Sequence, residues 1–218
     1  LWHDGDGIAV LSFKSKMNTI SDGILAGVQQ AISIAEQKFQ GLVIWQTKEP
    51  FSAGADLSGA LASLQDGRID DFKAMVAEFQ ATSMRIKYAQ IPIVAAVRGL
   101  ALGGGCEFQM HSARTIFSLE SYIGLVEAGV GLLPAGGGLK EIATRVGLQG
   151  GDVFAGLKPY FETIAMGKVS ASAVDAKEMK LARESDIIVF NSFELLHVAK
   201  AQARAMAESA YRPPMSAK

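Results

Sequence analysis

The sequence predicts an α/β fold built on a buried, largely parallel sheet. Three observations predict it. Two short apolar runs, "GLVIWQT" (41–47) and "IPIVAAVRG" (91–99), are almost continuous, as strands covered on both faces are. Two longer stretches, 19–39 and 69–89, repeat apolar residues every three to four positions, as amphipathic helices do. The two kinds of segment alternate along the chain, which is the pattern of strand–helix–strand units.

Taken in order, "GIAVLSFKS" (7–15) reads as the first strand, with Gly5 and Gly7 making the turn before it. In 19–39, Ile20, Ile24, Val28, Ile32 and Ala35 or Phe39 share a stripe, and Ser21 stands at the N-cap. After the strand 41–47, "KEPFSAGADLSGA" (48–60) reads as a loop. The helix 69–89 carries Phe72, Val76, Phe79 and Ile86 on one stripe. The strand 91–99 leads into "ALGGGCEFQMHS" (101–112), and "RTIFS" (114–118) reads as a further strand. "GLVEAGVGLLPAGGGLKEIATRVG" (124–147) is a glycine-rich loop entering a helix at 137–146. The remainder reads as helical, with a strand at "DIIVFN" (186–191) and a terminal helix over 193–210. The character changes near 150–156. The expected organisation is therefore a core over 1–150 and a helical C-terminal extension over 151–218, with no repeat or low-complexity segment.

Half-apolar composition and a net charge of −1 fit an ordinary globular domain and point away from nucleic acid or an acidic membrane surface as main partner. The single Cys106 excludes an internal disulfide and any multi-cysteine metal site, so an intracellular, cytoplasmic setting is expected. No apolar run approaches the roughly 20 residues of a membrane span, and no signal-peptide pattern is visible. The chain begins at Leu1 and runs almost at once into a strand, so it is expected to be a domain of a longer polypeptide or a processed chain.

Three glycine-bearing loops follow buried strands: "FSAGAD" (51–56), "GLALGGGCE" (99–107) and "GVGLLPAGGG" (129–138). Glycine lets backbone N–H groups approach a ligand closely, and a following helix adds positive potential at its N-terminus. Two such loops facing each other could form an oxyanion hole. Glu107 and Glu127 would then lie beside a bound carbonyl, one as base toward water and the other as proton donor. Each piece has a plainer reading. A glycine triplet before a helix is commonly a tight turn, and a glutamate in a first turn is commonly a dipole partner. "AGGGLKE" lacks the G-K-[ST] ending of a phosphate loop, and adjacent glycines are not the G-x-G-x-x-G fingerprint. There is no G-x-S-x-G elbow. His3, His111 and His197 lack metal-ligand spacing; His111 lies four residues after Glu107 and could share its helix face. Cys106 reads as a small packed side chain.

In combination, "FSAGADL", "IPIVAAVRGLALGGGCEF" and "GLVEAGVGLLPAGGG", with "KMNTIS" (16–21) before them, resemble the crotonase (enoyl-CoA hydratase/isomerase) superfamily over about residues 5–150. The third motif and the tail "FNSFELLHVAKAQARAMAESAYRPP" most resemble the crotonase portion of multidomain fatty-acid oxidation proteins, which join it to a 3-hydroxyacyl-CoA dehydrogenase. The resemblance implies a ClpP/crotonase-like spiral of ββα units, a helical C-terminal part that helps form a homotrimer or its dimer, and an acyl-CoA thioester as substrate. It places the oxyanion donors on the N–H groups of Ala55 and Gly104. Glu107 would hold and activate water, and Glu127 would manage the proton at the α-carbon. Ala53, Asp56 and Leu57 fall on the segment lining the CoA adenine pocket, and Lys14 and Lys16 near the phosphate contacts. No metal and no cofactor beyond the substrate's own CoA is expected. Where the family often has Cys-Asp after this helix, the chain has Ser112 and Ala113. A hydratase, a double-bond isomerase using Glu127 alone, and a non-catalytic acyl-CoA module all remain open at this point. A ClpP-like peptidase lacks its Ser–His–Asp order here.

Overall fold

The computed structural model describes residues 1–215, and the side chains of all of these except 60–62 and 64. Five strands form one parallel sheet: β1 (Ile8–Leu11), β2 (Gly41–Trp45), β3 (Ile93–Leu102), β4 (Arg114–Gly124) and β5 (Ile187–Val189). Their order in the sheet is their order in the chain. Every crossover therefore advances one strand in the same direction, and the chain winds as a spiral. The helices are α1 (Asp22–Lys38), α2 (Leu57–Gln65), α3 (Ile69–Lys87), α4 (Gly104–His111), α5 (Gly138–Gln149), α6 (Val153–Ala165), α7 (Ala173–Glu178) and α8 (Leu195–Glu208).

β1 and β2 are buried on both faces, which is why their sequences are apolar without gaps. Period-two alternation still divides the strands. Leu42, Ile44, Ile93, Ala95 and Phe117 join α1, α3 and α4 in the main core. Ile8, Val43, Val94, Ala96, Ile116 and Val189 face the other way, onto Leu195, Ala199 and Ala203 of α8. Small residues let α8 lie close: a Cβ on Gly41 would stand 3.3 Å from Ala203 Cβ. Lys200 of α8 also bonds Asp4 at 2.6 Å, and Arg204 bonds Asp6 at 2.6 Å. The tail after residue 150 thus completes the core that a boundary there would have set apart. β5 extends the sheet and α8 closes its second face, while the change of character at 150–156 covers the turn between α5 and α6 and the first residues of α6.

A second layer of pairing makes each turn of the spiral a pair of strand segments. Ile20 bridges Ala55, Ser52 bridges Ala101, and 99–102 pair with 121–124. Here the structure departs from the sequence reading. β3 and β4 run on to Leu102 and Gly124, past the ends expected at 99 and 118. The register shifts between Val97 and Gly99, so β3 bends and enters the second layer. Polar Ser118 and Ser121 hide this in the sequence. Ser121 is buried with its hydroxyl satisfied: its single O–H has two carbonyl acceptors in reach, Ser118 at 2.7 Å and Val97 at 3.1 Å. The loop expected at 48–60 ends at Asp56, whose carboxylate accepts from the Ser58 N–H and hydroxyl where α2 begins. Ser21 does precede α1, but its side chain makes no capping bond.

Candidate active site

The turns that follow β2, β3 and β4 supply the three glycine-bearing loops. Gly103 precedes α4 at φ +50°, ψ −120°, a conformation closed to residues with a Cβ. The 51–56 loop packs on it backbone to backbone, because a Cβ on Gly54 would stand 3.0 Å from the Leu102 carbonyl and 3.7 Å from Gly104 N. The N–H of Gly104 opens α4 and, like that of Ala55, donates to no group among the described residues. Both residues line one cavity of about 490 Å³ together with Glu107, Glu127, Ala53 and Leu57. Its opposite wall is apolar, built by Phe72, Val76 and Phe79 of α3 and by Leu132 and Leu133.

Glu107 is buried in the first turn of α4, and its Oε1 accepts from the Gly138 N–H at 2.9 Å. Burial, and then the charge of Glu127, push its carboxyl up to about 8. The N–H groups of Gly138 and Gly136 offset part of that rise. Glu127 sits on the 3₁₀ turn Glu127–Val130 after β4. A Cβ on Gly103 would stand 3.2 Å from its Oε1, and its Oε2 is buried with no partner among the described residues. Burial raises its carboxyl also, offset in part by its own N–H. Glu107 thus feels the charge of Glu127, and burial disfavours the ionised form of both carboxyls.

The structure therefore brings together Glu107, Glu127, Ala55, Gly104, Ala53 and Leu57. Lys14, Lys16 and Asp56 are exposed and stand off the cavity wall. Lys14 lines a separate groove beside α1. The segment carrying Lys16 is joined to the site loop by the Ala53 N–H, which donates to the Met17 carbonyl at 3.1 Å. Sequence reasoning placed Phe79 on an apolar helix stripe and the second glycine triplet in a glycine-bearing loop, but gave neither a particular contact at the site. A Cβ on Gly104 would run into Phe79, and one on Gly136 would run into both Glu107 Oε2 and Phe79. The signal for the latter was "AGGG" opening a helix, the same pattern as "LGGG" at 102–105. Among the described residues no group of three or more His, Cys, Asp or Glu is placed to hold a metal ion. No helix there is long and apolar enough to cross a membrane.

A spiral of strand pairs with loops of this kind around one cavity is the crotonase architecture. The family model for enoyl-CoA hydratase/isomerase matches residues 3–153, and the chain belongs to that family. It is 41% identical over 214 residues to the "Probable 3-hydroxyacyl-CoA dehydrogenase" of Bacillus subtilis (strain 168), covering 98% of this chain and 27% of that one. It is 31% identical over 182 residues to the "Fatty acid oxidation complex subunit alpha" of Psychrobacter cryohalolentis, covering 81% and 24%. The chain spans about a quarter of the length of these relatives. Among solved structures it is similar in fold to an enoyl-CoA hydratase from Bacillus anthracis, with a TM-score of 0.71 at 22% identity over 94% of this chain and 72% of that one. A second enoyl-CoA hydratase, from Polaromonas sp. JS666, gives a TM-score of 0.76 at 19% identity, covering 94% and 76%.

Proposed function

We propose that this chain is an enoyl-CoA hydratase domain that adds water reversibly to trans-2-enoyl-CoA thioesters. The observation that carries the reading is that the buried carboxyl of Glu107, the half-buried Glu127 and two N–H groups unpaired among the described residues converge on one apolar-walled cavity. The thioester oxygen accepts from the N–H groups of Ala55 and Gly104. Water held by the carboxyl pair gives a proton to the ionised member as its oxygen bonds the β-carbon. The electrons of the double bond move toward the thioester, and negative charge gathers on the oxygen the two N–H groups face. The protonated member then delivers its proton to the α-carbon as the enolate collapses. One water is added, and the pair regains its single proton. One oxyanion donor is worth roughly 10²–10³ in rate, and positioned acid–base groups roughly 10²–10⁴.

In this reading no group beyond the substrate's own CoA takes part. Ala53 and Leu57 meet the CoA portion, as their place on the cavity wall supports, while Asp56, Lys14 and Lys16 act from exposed positions around it. The domain works in the cytoplasm, within a longer chain carrying a 3-hydroxyacyl-CoA dehydrogenase, and as a homotrimer or its dimer. The relatives' names support the fusion. Exposed Phe154 and Phe161 on α6 support self-association.

The test is loss of enoyl-thioester ultraviolet absorbance with trans-2-enoyl-CoA. Glu127→Gln should lower hydration turnover by about 10²-fold or more, because Gln cannot give up or take a proton. Full hydration by that variant would sink the assignment. Double-bond migration in 3-enoyl-CoA without hydration would instead favour an isomerase. Gly136→Ala should destabilise the chain by about 1–3 kcal/mol through overpacking and cut turnover by roughly 10²-fold by displacing the Glu107 carboxyl. Thermal denaturation and the same assay measure both. An unchanged rate would mean the carboxyl tolerates the shift.

A further inference from the structure

His111 takes no part in the proposed chemistry, yet it touches both ends of what holds Glu107. It lies one helical turn further along α4 and is buried, with Nδ1 2.7 Å from the Glu107 carbonyl oxygen. A carbonyl only accepts, so Nδ1 carries the proton and Nε2 is left as a bare acceptor. That Nε2 is buried without a donor among the described residues. An apolar side chain of the same size would pack without that cost, so filling space does not account for a histidine here. The far edge of the ring meets the second glycine triplet. A Cβ on Gly137 would stand 3.0 Å from both Cε1 and Nε2, and Gly137 holds φ +115°. The next N–H along, that of Gly138, grips the Glu107 carboxyl.

We propose that His111 is a positioning residue for Glu107: pinned to the Glu107 main chain, its ring braces the Gly136–Gly138 turn where the Gly138 N–H meets the Glu107 carboxyl. The catalytic consequence rests on reading Glu107 as half of the acid–base pair; the bracing itself does not. The ring must stay neutral to do this without placing a cation beside Glu107. Burial lowers its pKa to about 4. The Glu107 carbonyl and Glu141 pull upward, while Lys140 and Lys87 push down. It is therefore uncharged throughout the neutral range.

The experiment is a pH titration of the Gly138 amide resonance in ¹⁵N-labelled protein, with His111→Met and His111→Asn beside the parent. Methionine loses the Nδ1–H anchor at similar volume; asparagine keeps a donor but withdraws the ring edge from Gly137. In the parent the amide should titrate with Glu107, near pH 8. Slackening the turn weakens an N–H bond that stabilises the carboxylate, so the midpoint should move upward by about half a unit or more in either variant. Turnover should fall about tenfold while KM for the enoyl-CoA stays within about twofold. A merely packing role predicts the opposite pattern, a lower Tm with an unmoved midpoint, and that result in a folded variant would overturn the proposal. If methionine prevents folding, the asparagine variant gives the same reading. Should Glu107→Gln retain full turnover, the catalytic reading fails while the titration still decides the bracing.

Discussion

Replacing Glu107 with Gln is expected to cut hydration turnover by about 10²–10⁴-fold while the fold persists. Gln is nearly isosteric and can still accept from the Gly138 N–H, so the glycine turn keeps its grip. What it loses is the ability to exchange a proton with water. The same substitution should alter stability in a pH-dependent way. The folded-state pKa of Glu107, about 8, lies above its unfolded value near 4.5. The folded chain therefore holds a proton that the unfolded chain releases. The stability linked to that proton is complete below about pH 4.5 and is lost as pH rises through 8. The parent should weaken across that window, and the variant, lacking the ionisable group, should not show this contribution. Denaturation curves at pH 5 and pH 9, beside steady-state turnover, measure both. Near-parent turnover, or identical pH slopes in the two proteins, would contradict the assignment of a buried, proton-sharing Glu107.

The largest expected loss of stability lies behind the site. Glu141, in the first turn of α5, is buried and accepts from Lys87 Nζ at 2.6 Å and from Arg145 Nε at 3.4 Å. Both cations are themselves largely buried. Burial pushes the Glu141 carboxyl up, but the hydrogen bond and charge of Lys87 and the charge of Arg145 outweigh it, and the net shift is downward. Glu141→Gln keeps the shape and removes the charge, leaving two buried cations without their counter-ion. The expected cost is about 3–5 kcal/mol, read from the urea midpoint at unchanged slope. Because the folded pKa is depressed, the parent's advantage should be present above about pH 4.5 and vanish as pH falls through the lower folded value. A loss under about 1 kcal/mol would show that the cations find other partners, such as the Met110 carbonyl that Arg145 already reaches at 3.1 Å.

The α/β class was legible because buried parallel strands leave unbroken apolar runs, as at 41–47 and 91–97. The loops of the site were legible because Gly54, Gly103 and Gly104 stand where a Cβ would crowd the Leu102 carbonyl, the Glu127 carboxyl and the Phe79 ring in turn. The second pairing layer was not. Residues 119–124 carry Glu120 and Ser121, and 121–124 become strand only through their pairing with 99–102, twenty-two positions away. The place of the tail was hidden for a similar reason. The alanines at 199 and 203 mark a close-packed helix face, but which surface that face meets depends on residues more than a hundred positions away. His111 escaped assignment because its partners are a carbonyl and a glycine backbone, neither of which leaves a side-chain signature.

The in-order spiral distributes the site over successive coils. The coil after β2 brings Ala55, the coil after β3 brings Gly104 and Glu107, and the coil after β4 brings Glu127 and, through the following loop, Gly138. In the proposed reading, grip on the thioester and management of protons are thereby housed on partly separate stretches of chain, joined at the coil after β3. Residues around 127–138 would then change without rebuilding the pair of N–H groups assigned to the oxygen. Such a layout lets one scaffold keep its handle on a common ester group while the outcome at the neighbouring carbons is retuned, much as a tool with a fixed chuck accepts different bits.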